Sequence, residues 1–120
     1  MSIPVSSRYS YSNQVIEKDM LPASLQQLTF DDECFFNQTI KKGVLPASLQ
    51  QIKFGYHFNQ AIDRDVLPAS LQRLTFMGHF NQAIDRDVLP ASLLRLTFGD
   101  YFNQAIDGDV LPASLEQLKF

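Results

Sequence analysis

The sequence Leu67–Phe76, LPASLQRLTF, decides the fold of this chain because the chain contains it five times with small variations. The other copies are Leu21–Phe30, Leu45–Phe54, Leu89–Phe98 and Leu111–Phe120, and successive copies begin 24, 22, 22 and 22 residues apart. A fixed period of about 20–50 residues is typical of a solenoid. In such a fold each coil buries its apolar side chains against the adjacent coils.

A second motif lies between the copies and fixes the limits of the repeat domain. FNQAI occurs at 58–62, 80–84 and 102–106, with the variants FNQTI at 36–40 and SNQVI at 12–16. We therefore expect one repeat domain over residues 12–120, preceded by an N-terminal cap or arm over the polar residues 1–11. The link between Phe30 and Phe36 is two residues longer than the later links, and we expect it to form a bulging loop.

Each copy ends in a pattern that predicts a β-strand. Leu74, Thr75 and Phe76 alternate between apolar and polar side chains, as in a strand with one buried face. The alternative is a short helix that starts at Pro68 and carries leucines at helical spacing. A period of 22 residues is too short for two antiparallel helices, which need about 34. The pattern favours a mainly β solenoid of about five strands, with one short parallel strand per 22-residue repeat and irregular or 3₁₀ return segments.

The asparagine that recurs in every copy of the FNQ motif predicts a second structural feature. Stacking the coils places equivalent residues one above another, about 4.8 Å apart. An amide side chain both donates and accepts hydrogen bonds, so a column of asparagines can satisfy backbone groups in adjacent coils. We expect a structural ladder, made of Asn13, Asn37, Asn59, Asn81 and Asn103. The serine of each LPAS sequence is expected to close a turn.

The combined motifs resemble a known family. The recurring FNQ-x-I and V-L-P-x-S-L-x-x-L-x-F are similar to the FNIP repeat, a relative of the leucine-rich repeat found largely in amoebae and their giant viruses. The resemblance covers residues 12–120 and implies a leucine-rich-repeat-like solenoid. It departs at Ala61, Ala83 and Ala105, where the family often has proline. Many such proteins resemble ubiquitin-ligase adaptors with an N-terminal F-box, and residues 1–11 are too few for one, so that role is not carried over.

Composition narrows the class of function. Hydrophobic residues make up 45% of the chain and charged residues 19%, which favours a folded domain. The net charge of −3 gives no general attraction to nucleic acid or to an anionic membrane. No apolar segment approaches the length of a membrane span. Cys34 is the only cysteine and suits a reducing compartment, so we expect a cytoplasmic protein.

No catalytic or cofactor site is indicated. A catalytic serine is distinguished by its neighbours, whereas all five repeat serines share one LPAS context. His57 and His79 occupy the same place in adjacent coils, in a column that otherwise contains Tyr11, Phe35 and Tyr101. A zinc site needs at least three protein ligands, so we expect an aromatic ridge here. The chain is predicted to be neither an enzyme nor a metal or cofactor binder.

The outward strand positions form the candidate binding surface. They carry four cations and one anion, which an ordinary solvated surface would also explain. The functional interpretation is a concave face that binds an acidic or polar protein partner, with Leu94 as an apolar anchor. Nucleic acid is disfavoured because the cations are not interleaved with aromatic residues. The predicted partner-binding residues are Gln50, Lys53, Gln72, Arg73, Leu94, Arg95, Thr97 and Lys119.

Self-association is the alternative role. The fifth copy ends at Phe120, and an apolar coil end beside an open strand edge is a template for another chain. We expect Leu111, Leu115, Leu118 and Phe120 to be exposed there. Two chains that meet through this surface would form a closed homodimer with two-fold symmetry.

Overall fold

The structure is a computed structural model that describes residues 6–9 and 13–120. Its strands form one sheet in chain order, and every neighbouring pair is parallel. The strands are β1 (Ser6–Tyr9), β2 (Gln27–Phe30), β3 (Gln51–Lys53), β4 (Arg73–Thr75), β5 (Arg95–Thr97) and β6 (Gln117–Lys119). The predicted solenoid with one short strand per coil is confirmed.

The return segments are irregular, and the short-helix alternative is wrong. The described residues contain no helix, and therefore none with the length and apolar character needed to cross a membrane. Where that alternative placed a helix, one hydrogen-bonded turn is present, with the Leu71 amide donating to the Pro68 carbonyl at 3.1 Å. The chain then extends at once into β4, because Leu74 must point into the core while its neighbours face outwards.

The strand register follows the repeat. Arg73 lies opposite Arg95 and Leu74 opposite Leu96, one full period of 22 residues apart. A shift of one residue would turn the buried leucines towards solvent, so the apolar pattern specifies this register. Between β2 and β3 the pairing step is 24 residues, from Gln27 to Gln51. The two-residue insertion is therefore absorbed outside the sheet.

The sheet has six strands rather than the expected five or so. The additional strand is β1, in which Ser6 lies opposite Gln27 and its hydroxyl donates to the Gln27 side-chain oxygen at 3.1 Å. Residues 6–9 lack the Leu-x-Phe pattern, so their pairing with β2 was not predicted. The rest of the predicted cap or arm, residues 1–5 and 10–11, lies outside the described residues.

The insertion forms a turn in which Asp32, Glu33 and Phe35 are exposed and Cys34 is buried. The Cys34 amide donates to the Asp31 carbonyl at 2.9 Å and closes a tight turn. The turn is also bonded to the next coil, because the Tyr56 amide donates to the Asp32 carbonyl at 2.8 Å. Cys34 is 1% exposed and belongs to the core. Burial of this small apolar side chain anchors the turn to the core.

The core contains leucine columns and a double column of phenylalanine rings. Phe76 stacks on Phe98 of the next coil with ring centroids 5.7 Å apart, and on Phe80 of its own coil at 3.9 Å. Phe80 in turn stacks on Phe102 at 6.1 Å. Aromatic pairs in such contact contribute about 0.5–1.5 kcal/mol beyond their apolar burial. The rings therefore join each coil to the next along the whole solenoid.

A tight turn at the opposite corner forces unusual backbone conformations. The Val88 amide donates to the Asp85 carbonyl at 3.3 Å, and Asp87 has a φ of 68°. Asp65 has a φ of 65° at the equivalent place, where the second coil has Gly43. Aspartate tolerates this left-handed conformation better than most residues but less well than glycine. Asp19, with a φ of 70°, occupies the equivalent place in the first coil, so the chain accepts strain at three of its return corners.

Candidate functional site

The predicted asparagine ladder is confirmed and joins the coils on the return side. The Asn59 side-chain oxygen Oδ1 accepts from the Asn81 amide at 2.9 Å and from the Gln82 Nε2 at 3.0 Å. The same pair of bonds recurs at each step along the column, which runs through Asn13, Asn37, Asn59, Asn81 and Asn103. The internal members are half-buried. The column therefore lies at the edge of the core rather than inside it.

Glutamine and serine complete the bonding between coils. The Gln60 Nε2 also donates to the Asn37 carbonyl at 3.2 Å, and the Ser92 hydroxyl donates to the Leu71 carbonyl at 2.6 Å. In the ladder and at the LPAS serines the donor always belongs to the later coil. No buried side-chain nitrogen or oxygen of the described residues lacks a partner.

The exposed face of the sheet carries all eight predicted partner-binding residues. Arg73 and Arg95 are exposed and lie opposite each other on β4 and β5. Thr97 lies opposite Lys119 on β6. We call this set the sheet strip; its members are Gln50, Lys53, Gln72, Arg73, Leu94, Arg95, Thr97 and Lys119. They occupy neighbouring positions, so one partner surface can contact several of them at once.

The first row of the sheet strip lies just ahead of the strands. The Gln72 amide donates to the Gln50 carbonyl at 2.8 Å, and the Leu94 amide donates to the Gln72 carbonyl at 2.8 Å. These bonds hold the three side chains in one column across the coils. Leu94 was expected to be exposed and is half-buried. It presents a smaller apolar surface than the sequence alone indicates.

One cation of the sheet strip is already paired. The Lys53 Nζ lies 3.0 Å from the Asp32 Oδ1, and both side chains are partly exposed. Asp32 belongs to the insertion turn, whose position the repeat pattern does not predict. The pair reduces the positive charge at the β3 end of the strip, so the unpaired charge is concentrated at Arg73, Arg95 and Lys119.

The aromatic ridge predicted at the histidines is present. His57 stacks on Phe35 at 5.1 Å and on His79 at 5.5 Å, and His79 stacks on Tyr101 at 4.9 Å. The His79 Nδ1 lies 2.7 Å from the Tyr56 carbonyl oxygen. Tyr11, the remaining predicted member, lies outside the described residues. Within residues 6–9 and 13–120, no three His, Cys, Asp or Glu side chains are grouped to hold a metal ion.

The fifth coil is more exposed than the coils before it. Phe120 is 75% exposed, whereas its equivalent Phe98 is 2% exposed. Leu111, Leu115 and Leu118 are half-buried, although their equivalents in the fourth coil are buried. These are the four residues predicted for self-association. Their apolar surface is continuous with the open edge of β6, which pairs with β5 alone among the described strands.

A groove at the LPAS corner was not anticipated from the sequence. It has a volume of about 340 Å³ and lies between the third and fourth repeats. Its walls are formed by Asp65, Leu67, Pro68, Ala69, Asp87, Val88, Pro90 and Ala91. The strained aspartates line it together with the Leu-Pro-Ala segments that follow each of them by two residues. Repetition of the motif predicts such a groove once the turn is known.

The family follows from a match over most of the chain. Residues 36–78 and 80–120 match the FNIP Repeat family. The chain belongs to the FNIP repeat family. No curated protein sequence matches it. The FNIP repeat identified from the motifs is thus confirmed, and the asparagine–glutamine ladder described above is built from its FNQ segment.

A solved structure gives the same fold for these FNIP repeats. The giant-virus protein CroV588, described as a novel circular LRR protein, is similar to this chain with a TM-score of 0.85 and 48% sequence identity. The similarity covers 89% of this chain and 16% of CroV588. The predicted leucine-rich-repeat-like solenoid is therefore confirmed, and the chain spans about one sixth of the length of that relative.

Proposed function

We propose that this FNIP repeat chain is a non-enzymatic interaction module that binds a protein partner through the sheet strip. The observation that carries the proposal is the set of neighbouring cationic and amide side chains on β3 to β6 and directly before these strands. Repeat solenoids of the leucine-rich type act as protein-interaction scaffolds, because stacked coils present an extended surface. The sheet strip contributes four cationic side chains and no carboxylate to that surface.

The charges of the sheet strip favour an acidic partner. Arg73, Arg95 and Lys119 are exposed, and Glu116 is the acidic residue nearest to them in the adjoining column. Complementary charge accelerates association and selects against cationic partners. Leu94 supplies an apolar contact beside the arginines, at the centre of the strip where anchor residues contribute most affinity.

Charge reversal at the two arginines tests the proposal. The immobilised wild-type chain is first used to capture a protein partner. We expect the variant Arg73→Glu/Arg95→Glu not to bind that protein. The control is Asp63→Lys/Asp85→Lys, which reverses two exposed charges of equal spacing on the return side. Since all four side chains are exposed, the melting temperature should change little in either variant.

The captured partner is then purified, and its affinity for the wild-type chain and for each variant is measured by titration. An affinity loss of at least tenfold in the arginine variant alone supports the sheet strip as the binding surface. Loss in the aspartate variant with retention in the arginine variant places the binding surface on the return side and contradicts the proposal. Equal binding by both variants contradicts it as well.

Self-association through the fifth coil is the second candidate function. The observation in its favour is the exposed apolar surface formed by Leu111, Leu115, Leu118 and Phe120. Two such surfaces that meet about a two-fold axis bury them in a closed dimer. Sedimentation velocity of the 120-residue chain over a concentration series tests this. A dimer that Leu118→Asp disrupts supports the candidate, and a strictly monomeric chain at high concentration rejects it.

A further inference from the structure

Arg73 and Arg95 form a like-charge pair that the protein itself leaves uncompensated. They lie opposite each other on adjacent parallel strands, whose backbones are about 4.8 Å apart. Like charges directly opposed across a sheet are destabilising. Among the described residues, ion pairs join Lys42 to Asp65 and Lys53 to Asp32, and neither arginine takes part in one. An anion that bound between the two guanidinium groups would remove this repulsion.

A second arginine pair in the same repeats shows the contrast. Arg64 and Arg86 are also exposed and also one period apart, on the return corners. Each of them lies between two aspartates in the sequence, Asp63 and Asp65 in the first case. The chain therefore flanks each arginine of the return-side column with two carboxylates, whereas the sheet pair is adjoined by Glu116, in the neighbouring column one coil further on.

The groups around the sheet pair are hydrogen-bond donors. Thr75 and Thr97 follow the arginines by two residues, so their side chains lie on the same face, opposite each other. Both threonines are half-buried, and no hydrogen bond to another residue within 6–9 or 13–120 engages either hydroxyl. Two guanidinium groups and two hydroxyls thus surround one patch of the sheet surface. Gln72 and Leu94 border this patch on the side away from the threonines.

The charge and the number of donors select the anion. A guanidinium group donates two parallel hydrogen bonds to a pair of oxygens, so a single carboxylate satisfies only one arginine. A phosphate monoester carries a charge of about −1.5 to −2 and three acceptor oxygens. It can bridge two arginines and still accept from a hydroxyl.

We propose that Arg73 and Arg95 together bind a phosphate monoester carried by a phosphorylated segment of the protein partner. The inference rests on the proposed function, since it specifies the chemistry of the partner at the sheet strip. Thr75 and Thr97 add hydroxyl donors to the bound phosphate. Leu94 contacts an apolar side chain of the partner beside the phosphorylated residue.

The direct test uses short fluorescein-labelled peptides in which one position next to a leucine is phosphoserine, glutamate or serine. Fluorescence anisotropy measures the affinity of each for the wild-type chain. We expect the phosphoserine peptide to bind at least about tenfold more tightly than the serine peptide, as charge-assisted hydrogen bonds are gained. The glutamate peptide should bind with an affinity close to that of the serine peptide. Equal affinity for phosphoserine and glutamate would overturn the inference.

Two matched variants locate the site. Arg73→Gln/Arg95→Gln should abolish the preference for phosphoserine, and Arg64→Gln/Arg86→Gln should retain it. In phosphate-free buffer of low ionic strength, the first variant should melt at a higher temperature than wild type, because the like-charge repulsion is removed. Phosphoserine preference that survives in the first variant, or disappears in the second, would overturn the inference.

Phosphatase treatment of the captured partner separates this inference from the proposed function. If treatment abolishes binding to the wild-type chain, both are supported. If treatment has no effect while Arg73→Glu/Arg95→Glu still abolishes binding, the sheet strip remains the interaction surface and the phosphate inference is wrong. If the glutamate reversal leaves the binding of an intact phosphorylated partner unchanged, both are wrong.

Discussion

Replacing Asn59 by alanine is expected to destabilise the fold by about 2 kcal/mol. The Asn59 Oδ1 accepts two hydrogen bonds from the next coil, from the Asn81 amide at 2.9 Å and from the Gln82 Nε2 at 3.0 Å. A hydrogen bond contributes about 1 kcal/mol net, and a buried donor left without a partner costs somewhat more. Both donors are half-buried, so water replaces the lost oxygen only in part.

The matched control is Asn103→Ala. Asn103 occupies the same place in its coil, but its Oδ1 accepts no hydrogen bond from the described residues. Its replacement should change the free energy of unfolding by less than about 0.5 kcal/mol. Asn59→Asp keeps an acceptor at the same position and should retain most of the stability. Urea unfolding followed by circular dichroism measures all three variants against wild type.

The comparison between the two alanine variants is decisive. Equal urea midpoints for Asn59→Ala and Asn103→Ala would mean that the ladder contributes nothing beyond the local loss of an amide. An unchanged midpoint for Asn59→Ala would have the same meaning. A loss in Asn59→Asp as large as in Asn59→Ala would show that the side chain acts through its NH₂ group rather than its oxygen.

Two further predictions concern the backbone. Asp87→Gly should have a free energy of unfolding about 1 kcal/mol greater than that of Asp87→Ala, because only glycine adopts the φ of 68° without strain. Equal urea midpoints for the two variants would contradict this prediction. Gly99→Ala should be strongly destabilising, since its Cβ would lie 2.5 Å from a backbone nitrogen of the preceding coil. Gly108→Ala meets nothing within 4 Å and should be nearly neutral by the same assay, so similar losses in the two alanine variants would refute the steric argument.

Much of the fold was predictable because the sequence repeats itself. Nearly identical copies must adopt nearly identical conformations, so the strand at Arg73–Thr75 implied its neighbours, and the period fixed their register. The same reasoning identified the asparagine column. It failed for β1, because the sequence of Ser6–Tyr9 lacks the apolar alternation that marks the other strands.

Features that depend on exceptions to the repeat could not be predicted. The Lys53–Asp32 ion pair forms because the insertion turn folds back on β3, and no other coil has that turn. An aspartate does not indicate a left-handed turn as plainly as Gly43 does. The positive φ of Asp87 and the groove beside it were therefore not predicted from the sequence. The zigzag stacking of Phe76 on Phe80 also depends on the path between them, which neither motif specifies.

The direction of the ladder has a consequence for how the protein is made. Because donors belong to the later coil, a chain that leaves the ribosome N-terminus first brings each new set of N–H groups to oxygens already in place. At the ladder, the newest coil then presents acceptor oxygens to solvent, and water satisfies a carbonyl or amide oxygen more readily than the protein tolerates an orphaned N–H group. The solenoid can thus lengthen one coil at a time during translation, with every intermediate length ending in a well-solvated edge of the ladder.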